Sequence, residues 1–243
     1  MKKTFAFLLS GIFLVILVYT PAHCLTAKEI VAKMIEAQGG QKALEKIKDM
    51  TVTGTLELIT FGMSGPMTFY QKEPNKLRID SELMGMIFTQ AHDGATAWWT
   101  NPQTGSTEEM PDQMAKDFKR EALGNDSTLH PEKYGITFNY KGKEKIEDKE
   151  YLVLEQIYSD GYKMTMYVDP NTYLTYKIKA MTLNEMGVEV ETETYLTDYK
   201  KVEGIMVAHS RKTLMEGAEY TKITIEKVSF NKEIEDSFFK MSV

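Results

Sequence analysis

Most of the chain alternates between apolar and polar residues at every second position, which is the pattern of half-buried β-strands. The segment from Lys76 to Leu83 shows this alternation most clearly. Leu77, Ile79 and Leu83 fall on one side of the predicted strand, and charged residues fall on the other side. Because turn residues separate segments of this kind, we predict a series of antiparallel hairpins that share one apolar face.

Turn signals divide the alternating pattern into short strands. They stand at 73–75, 93–94, 160–161 and 169–172. After Leu58 the alternation changes parity at Ile59 and Phe61, which predicts a bulge or the end of strand pairing. Counting the segments gives about ten or eleven strands, enough for a strongly curved sheet. We therefore predict a mainly β fold, a half-open antiparallel β-barrel.

Two short segments near the start of the alternating region have helical periodicity. Thr26 and Glu29 have the spacing of a capping box, in which a hydroxyl and a carboxylate three residues later close the first turn. Gly39 and Gly40 end this helix, because glycine tolerates the left-handed conformation of a helix C-terminus. A second helix is predicted over 41–48. Each helix has one apolar side, so both should pack on the sheet.

A third predicted helix interrupts the hairpins. It begins near Pro111 and carries Met114 and Phe118 on its apolar side. An inserted helix of this kind is either a lid over a binding site or a crossover that simply covers the sheet. The sequence supports both interpretations equally.

The first 24 residues have the composition of a secretory signal peptide. Lys2 and Lys3 precede an apolar segment from Phe5 to Tyr19, which is short for a membrane-spanning helix. We predict cleavage after Cys24, the only cysteine, so that the mature chain begins at Leu25 and is exported to the periplasm; lipid attachment at Cys24 is the alternative. Residues 25–243 are then expected to form a single domain.

The composition narrows the functional classes. The formal net charge is −6, and no basic cluster is present, which argues against a nucleic-acid partner. We expect a monomer. The 16 methionines are either ordinary core residues or the flexible lining of an apolar ligand site.

No group of residues has the spacing expected of a catalytic or metal site. The four histidines have no ligand-like spacing, and His92 is interpreted as part of the turn with Asp93. The acidic residues at 189, 191 and 193 share one strand face, as expected for a solvated surface. The chain also lacks a nucleophile elbow and a phosphate-binding loop. We predict no enzymatic activity, no metal and no cofactor.

The apolar sides of the strands and of the third helix predict a ligand-binding face. Of the adjacent Trp98 and Trp99, only one can point to this face, and we assign it to Trp98. The predicted lining residues on the strands are Leu56, Leu58, Met67, Phe69, Leu77, Ile79, Met86, Phe88, Trp98, Met164 and Met166. Met114 and Phe118 are predicted to cover them from the helix.

Four motifs, read together, resemble a known family. They are Lys72–Arg78 with its Pro-Asn turn, Asp93–Pro102 with its Asp-Gly, Trp-Trp and Asn-Pro pairs, Gly204–Ile205, and Val228–Phe238. These motifs and the order of the predicted elements resemble the LolA-like family of outer-membrane lipoprotein-sorting proteins. The resemblance extends over essentially the whole chain after the signal peptide.

The resemblance implies a soluble periplasmic carrier. Its apolar cavity would shield the acyl chains of a lipoprotein or lipid during transport toward the outer membrane, between an inner-membrane donor and an outer-membrane receptor. In the family, a basic residue before the Pro-Asn turn helps to hold the lid closed; this chain has Glu73 there. The alternative is an envelope sensor that uses the same fold to bind a protein and transports no lipid.

Overall fold

The fold is described by a computed structural model over residues 25–184 and 187–241. The predicted signal peptide, with Cys24, lies outside the described residues. Within the described ranges, no helix is both long enough and apolar enough to cross a membrane.

One antiparallel sheet forms the body of the protein. Its strands are β1 Asp49–Leu58, β2 Met63–Lys72, β3 Lys76–Leu83, β4 Met86–His92, β5 Ala97–Thr100, β6 Thr107–Glu109, β7 Thr137–Ile146, β8 Lys149–Ile157, β9 Lys163–Val168, β10 Thr175–Leu183, β11 Glu189–Val202, β12 Ile205–Met215 and β13 Ala218–Phe230. Their order is β6-β5-β4-β3-β2-β1-β13-β12-β11-β10-β9-β8-β7, so β6 and β7 are the two edges of an open, curved sheet.

The prediction of a mainly antiparallel β fold is confirmed, but the predicted number of strands was too low. The sheet has 13 strands. The sequence analysis missed β6, which has only three residues, and β7, most of whose residues are exposed. Both are edge strands, and an edge strand with little buried surface carries a weak alternating pattern. The change of parity after Leu58 marks the end of β1, where a 3₁₀ turn spans Ile59–Phe61.

Among the residues that the structure describes, four α-helices accompany the sheet: α1 Ala27–Gln38, α2 Gln41–Leu44, α3 Asp112–Glu121 and α4 Asn125–Leu129. The predicted capping box begins α1, since Thr26 N donates to Glu29 Oε2 at 2.8 Å and Glu29 N donates to Thr26 Oγ1 at 3.2 Å. Gly39 ends this helix with a φ of 140°, as predicted. The inserted segment contains two helices where one was predicted.

The helices pack on one side of the sheet, which we call the inner face. On β8 and β9, Leu152, Leu154, Met166 and Val168 pack against α1. The region of α2 packs on β1, β12 and β13. On the other half of the sheet, α3 packs on β3 and β5. The inner face is therefore covered by two groups of helices, one from the N-terminus and one from the middle of the chain. The two groups meet where Leu129 of α4 packs in the same cluster as Leu44 of α2.

The last described residues cover part of the opposite, outer face. The 3₁₀ turn Asp236–Phe239 lies against β3, and Phe239 is fully buried. The indole Nε1 of Trp98 donates to the carbonyl of Phe239 at 2.8 Å. The assignment of Trp98 to the inner face was therefore wrong, because the register of β4 with β5 places Trp99 on that face.

Replacing Phe239 with alanine should destabilise the fold by about 3–5 kcal/mol, since it empties a fully buried aromatic site. Urea unfolding measures this change. Phe238→Ala is the matched control, because Phe238 is only partly buried, against Tyr70 and Arg78. Equal losses in the two variants would contradict the assigned docking of the turn.

Candidate ligand-binding face beneath a helical lid

The connection between the two edge strands crosses the inner face. We call residues 110–136, which contain α3 and α4, the lid. Because β6 and β7 are opposite edges of the sheet, the lid spans from one edge to the other. Phe118 and Ala122 of the lid are buried against Leu77 and Ala97. The inserted helices thus both connect the edges and cover the inner face.

Strand register places most of the predicted lining residues on the inner face. Phe69 lies opposite Val52 on β1 and opposite Ile79 on β3, and Phe88 lies opposite Ser81. The predicted residues that share this face in the lid-covered half are Leu56, Leu58, Met67, Phe69, Leu77, Ile79, Met86 and Phe88. Met114 and Phe118 reach the same cluster from the lid, as predicted.

The two predicted methionines on β9 lie elsewhere on the inner face. Met164 and Met166 follow the register of the inner side of β9 and β10. Met166 is 7% exposed and packs with Ile30 and Met34 of α1. These methionines therefore belong to the half covered by α1, and the structure does not bring them together with the lid-covered residues.

The inner face also carries polar groups that the sequence analysis did not assign to it. His92 lies opposite Leu77 and Ala97, and Trp99 lies opposite Gln90, so all of these side chains share the face. His92 is 1% exposed, and its Nδ1 lies 2.8 Å from the carbonyl oxygen of Asn75. This contact supports its predicted part in the turn. Its burial was missed, although the alternation through Phe88 to His92 indicates the face.

Glu73 connects the lid to the turn between β2 and β3. Its carboxylate accepts the backbone N–H of Asn125 at 2.7 Å and that of Asp126 at 3.3 Å, in the first turn of α4. Gly124 precedes them, and a Cβ there would lie 2.4 Å from both carboxylate oxygens. A carboxylate therefore holds this end of the lid by accepting hydrogen bonds from free backbone amides.

Burial raises the pKa of Glu73 above its ordinary value of 4.5, and the hydrogen bonds from Asn125 and Asp126 only partly oppose this effect. Asp126 behaves differently, because its hydrogen bonds with Lys133 and Tyr134 lower its pKa. The lid contact thus depends on a carboxyl group whose ionisation is disfavoured by burial.

Further polar contacts hold the lid. Gln71 donates to the carbonyl of Ala122 at 3.2 Å, beside Glu73. At the opposite side, Arg120 pairs with Asp160 in the turn between β8 and β9, and its guanidinium lies 4.0 Å from the ring centre of Tyr162. The lid is therefore attached to both halves of the sheet by individual side chains.

An exposed apolar rim lies where the inner face meets solvent. The β1–β2 turn and the β3–β4 turn are neighbours, since β2 pairs with both β1 and β3. The large exposed apolar residues of this rim are Ile59, Phe61, Met84 and Met86. A cleft of about 530 Å³ lies elsewhere, on the outer face beside Tyr70 and Phe238.

Replacing Glu73 with alanine should loosen the lid, because two backbone amides of α4 lose their acceptor. We expect a loss of about 1 kcal/mol in unfolding free energy and faster hydrogen exchange at Asn125 and Asp126. Glu121→Ala, at an exposed lid position, is the control. Unchanged exchange at the two amides would show that the Glu73 contact does not hold the lid.

Replacing Glu73 with glutamine should change the pH dependence of stability. A raised pKa means that the folded protein binds the proton more tightly, so its stability falls as the pH rises from 4.5 through the folded-state pKa. Glutamine does not ionise there. The unfolding free energy of Glu73→Gln relative to wild type should therefore increase over this range, as urea unfolding at several pH values can measure; a constant difference would contradict the assignment.

Three solved structures share this architecture. A LolA superfamily protein from Nitrosomonas europaea is 13% identical with a TM-score of 0.60, and the alignment covers 90% of this chain and 99% of that one. A domain described as outer membrane lipoprotein-sorting, from Vibrio parahaemolyticus, is 18% identical with a TM-score of 0.57, covering 88% and 97%. A DUF1329 family protein from Desulfovibrio piger is 12% identical with a TM-score of 0.58, covering 88% and 97%.

Sequence comparison adds the family. No curated protein matches the chain. A family model described as an uncharacterized protein matches residues 75–243, which include β3 to β13 and the whole lid. The match spans more than half of the chain. The chain belongs to this family, and its fold is LolA-like.

Proposed function

We propose that this protein is a periplasmic carrier that binds the acyl chains of a lipid or lipoprotein on its inner face. One observation carries the proposal: the apolar residues of the lid occupy the predicted binding face. Met114 and Phe118 pack there against side chains such as Leu77 and Ile79. An acyl chain makes the same kind of non-directional apolar contact, so it can replace the lid without specific polar partners.

The energetics of this exchange are favourable for a carrier. When a ligand displaces the lid, the ligand covers the apolar face of the sheet in its place. The cost is the loss of the lid's apolar contacts, of its hydrogen bonds to Glu73 and of the ion pair of Arg120. Burying an acyl chain contributes about 0.8 kcal/mol per CH₂ group. A chain of ordinary lipid length therefore supplies enough free energy to compete with a short amphipathic helix.

Two further observations support the carrier. The Vibrio parahaemolyticus neighbour is described as lipoprotein-sorting, although its likeness to this chain establishes the fold alone. The proposed signal peptide at 1–24 would deliver the protein to the periplasm, between a membrane donor and a receptor. In this proposal, the protein transports its ligand toward the outer membrane without chemical change.

The proposal is tested by native mass spectrometry on protein expressed into a periplasm, followed by solvent extraction. Co-purified phospholipid or acylated peptide would support a carrier, and its mass would identify the ligand class. A protein that remains empty and also takes up no added lipid would contradict the proposal. The same spectrum reports whether the mature chain begins at Leu25 or at a lipidated Cys24.

A glutamate in place of Phe88 should abolish lipid uptake while leaving the protein folded. Phe88 is half-buried on the inner face, where a carboxylate would be desolvated against an acyl chain. Ile87→Glu is the matched control, because Ile87 precedes Phe88, points to the opposite face and is 63% exposed. Uptake is measured with a fluorescent fatty-acid analogue, and equal uptake by both variants would exclude the lid-covered face as the binding site.

The exposed apolar rim favours a second candidate, a protein-binding envelope sensor. Phe61 and Met84 are 51% and 79% exposed at adjacent hairpin tips, a location suited to contact with another protein. An empty protein in the mass spectrum would favour this candidate. The double variant Phe61→Ser/Met84→Ser distinguishes the sensor from the carrier. If the variant no longer binds a protein partner but still takes up lipid, the sensor is supported.

A further inference from the structure

Two polar nitrogen atoms beneath the lid have no hydrogen-bond partner within the described residues. They are Nε2 of His92 and Nε1 of Trp99, and both atoms are buried. His92 itself is 1% exposed. A buried polar atom in a protein interior is normally paired, so two unpaired atoms on one face indicate a site for a polar group.

The two nitrogens belong to side chains on the same face of adjacent strands. His92 ends β4 opposite Ala97, and Trp99 lies two residues farther along β5. Diagonal neighbours in an antiparallel pair are about 7–8 Å apart at the backbone, and histidine and tryptophan side chains are long enough to converge from that distance. One small polar group can therefore contact both.

The hydrogen-bond roles of the two nitrogens are complementary. Nδ1 of His92 lies 2.8 Å from the carbonyl oxygen of Asn75, which only accepts. The Gly94 N–H also points to Nδ1, at 3.3 Å, and that contact would require Nδ1 to accept. We assign the ring proton to Nδ1 because its contact with Asn75 is the shorter one. In the neutral ring, Nε2 is then an acceptor, whereas Nε1 of Trp99 can only donate. The matching group must both donate and accept.

We propose that His92 and Trp99 form a subsite for the carboxyl group of a long-chain fatty acid. Its carbonyl oxygen accepts from Trp99, and its hydroxyl donates to His92. If the acid proton passes to His92, the carboxylate accepts from both nitrogens, and the count of protons is unchanged. A methyl ester has no hydroxyl and cannot satisfy Nε2. The inference rests on the proposed acyl-binding function and names its ligand class.

The position of the subsite also orients the acyl chain. His92 and Met86 are at opposite ends of β4, about 20 Å apart at the rise of a β-strand. Met86 belongs to the exposed rim and is 57% exposed. The acyl chains of one bilayer leaflet occupy about 15 Å, half of the hydrocarbon core. A fatty acid with its carboxyl group at His92 therefore fits along β4, with its methyl end toward the rim.

The test compares three ligands that share one saturated chain: the free acid, the methyl ester and the alcohol. Each displaces a fluorescent apolar dye from the wild-type protein. We expect the acid to bind at least about ten-fold more tightly than the ester, the usual effect of a charge-assisted hydrogen bond. Equal binding of acid and ester overturns the subsite while leaving the carrier intact, and tighter binding of the alcohol overturns the carboxyl assignment. Displacement by none of the three contradicts the proposed function itself.

Variants then test whether His92 and Trp99 cause the preference for the free acid over the ester. The substitution His92→Asn can keep a hydrogen-bond donor near Asn75 but removes the acceptor at Nε2. It should therefore reduce the ratio of the affinity for the acid to the affinity for the ester to about one. Trp99→Phe should reduce it in the same direction. Trp98→Phe is the matched control, because its indole lies on the outer face, and it should preserve the ratio. Preservation of the ratio in both His92→Asn and Trp99→Phe, each verified as folded by thermal unfolding, would overturn the assignment.

Discussion

The apolar inner face of the sheet must be covered, and the rest of the architecture follows from that requirement. A wide antiparallel sheet with one apolar side loses stability if that side is left in water. Two groups of helices meet the requirement differently. Ile30 and Met34 of α1 pack into β8 and β9 as an ordinary core. The lid packs on the other half with short helices and a few polar contacts.

The helix α1 and the lid differ in how far each is stabilised by its own residues. The helix α1 has 12 residues and a complete capping box, whereas α4 has five residues and no side-chain cap of its own. A helix of five residues is unstable alone, so α4 depends on its neighbours. Glu73 supplies the missing acceptor from another part of the chain. A carboxylate suits this position because it faces backbone N–H groups, which donate to it.

Local rules predicted much of the fold, but not the contacts between distant segments. The alternation around Leu77 and the capping box at Thr26 are properties of neighbouring residues, and both were predicted correctly. The choice between Trp98 and Trp99 depends on the register of β5, which has only four residues and therefore little pattern of its own. Glu73 lies 52 residues from Asn125, and no local pattern indicates that they meet. His92 was assigned to the turn with Asp93, and its burial was missed because it also lies on the inner face, opposite Leu77.

The polar groups under the lid are best understood together with its weak attachment. A fully apolar site would bind any acyl chain, with affinity set mainly by its length. Unpaired nitrogens at His92 and Trp99 disfavour the closed lid, because the lid residues leave them without partners. In the proposed carrier, a ligand that pairs them gains on two counts: it replaces the apolar contacts of Phe118, and it satisfies groups that the lid cannot. Under that proposal, the feature that weakens the closed state also makes ligand binding selective.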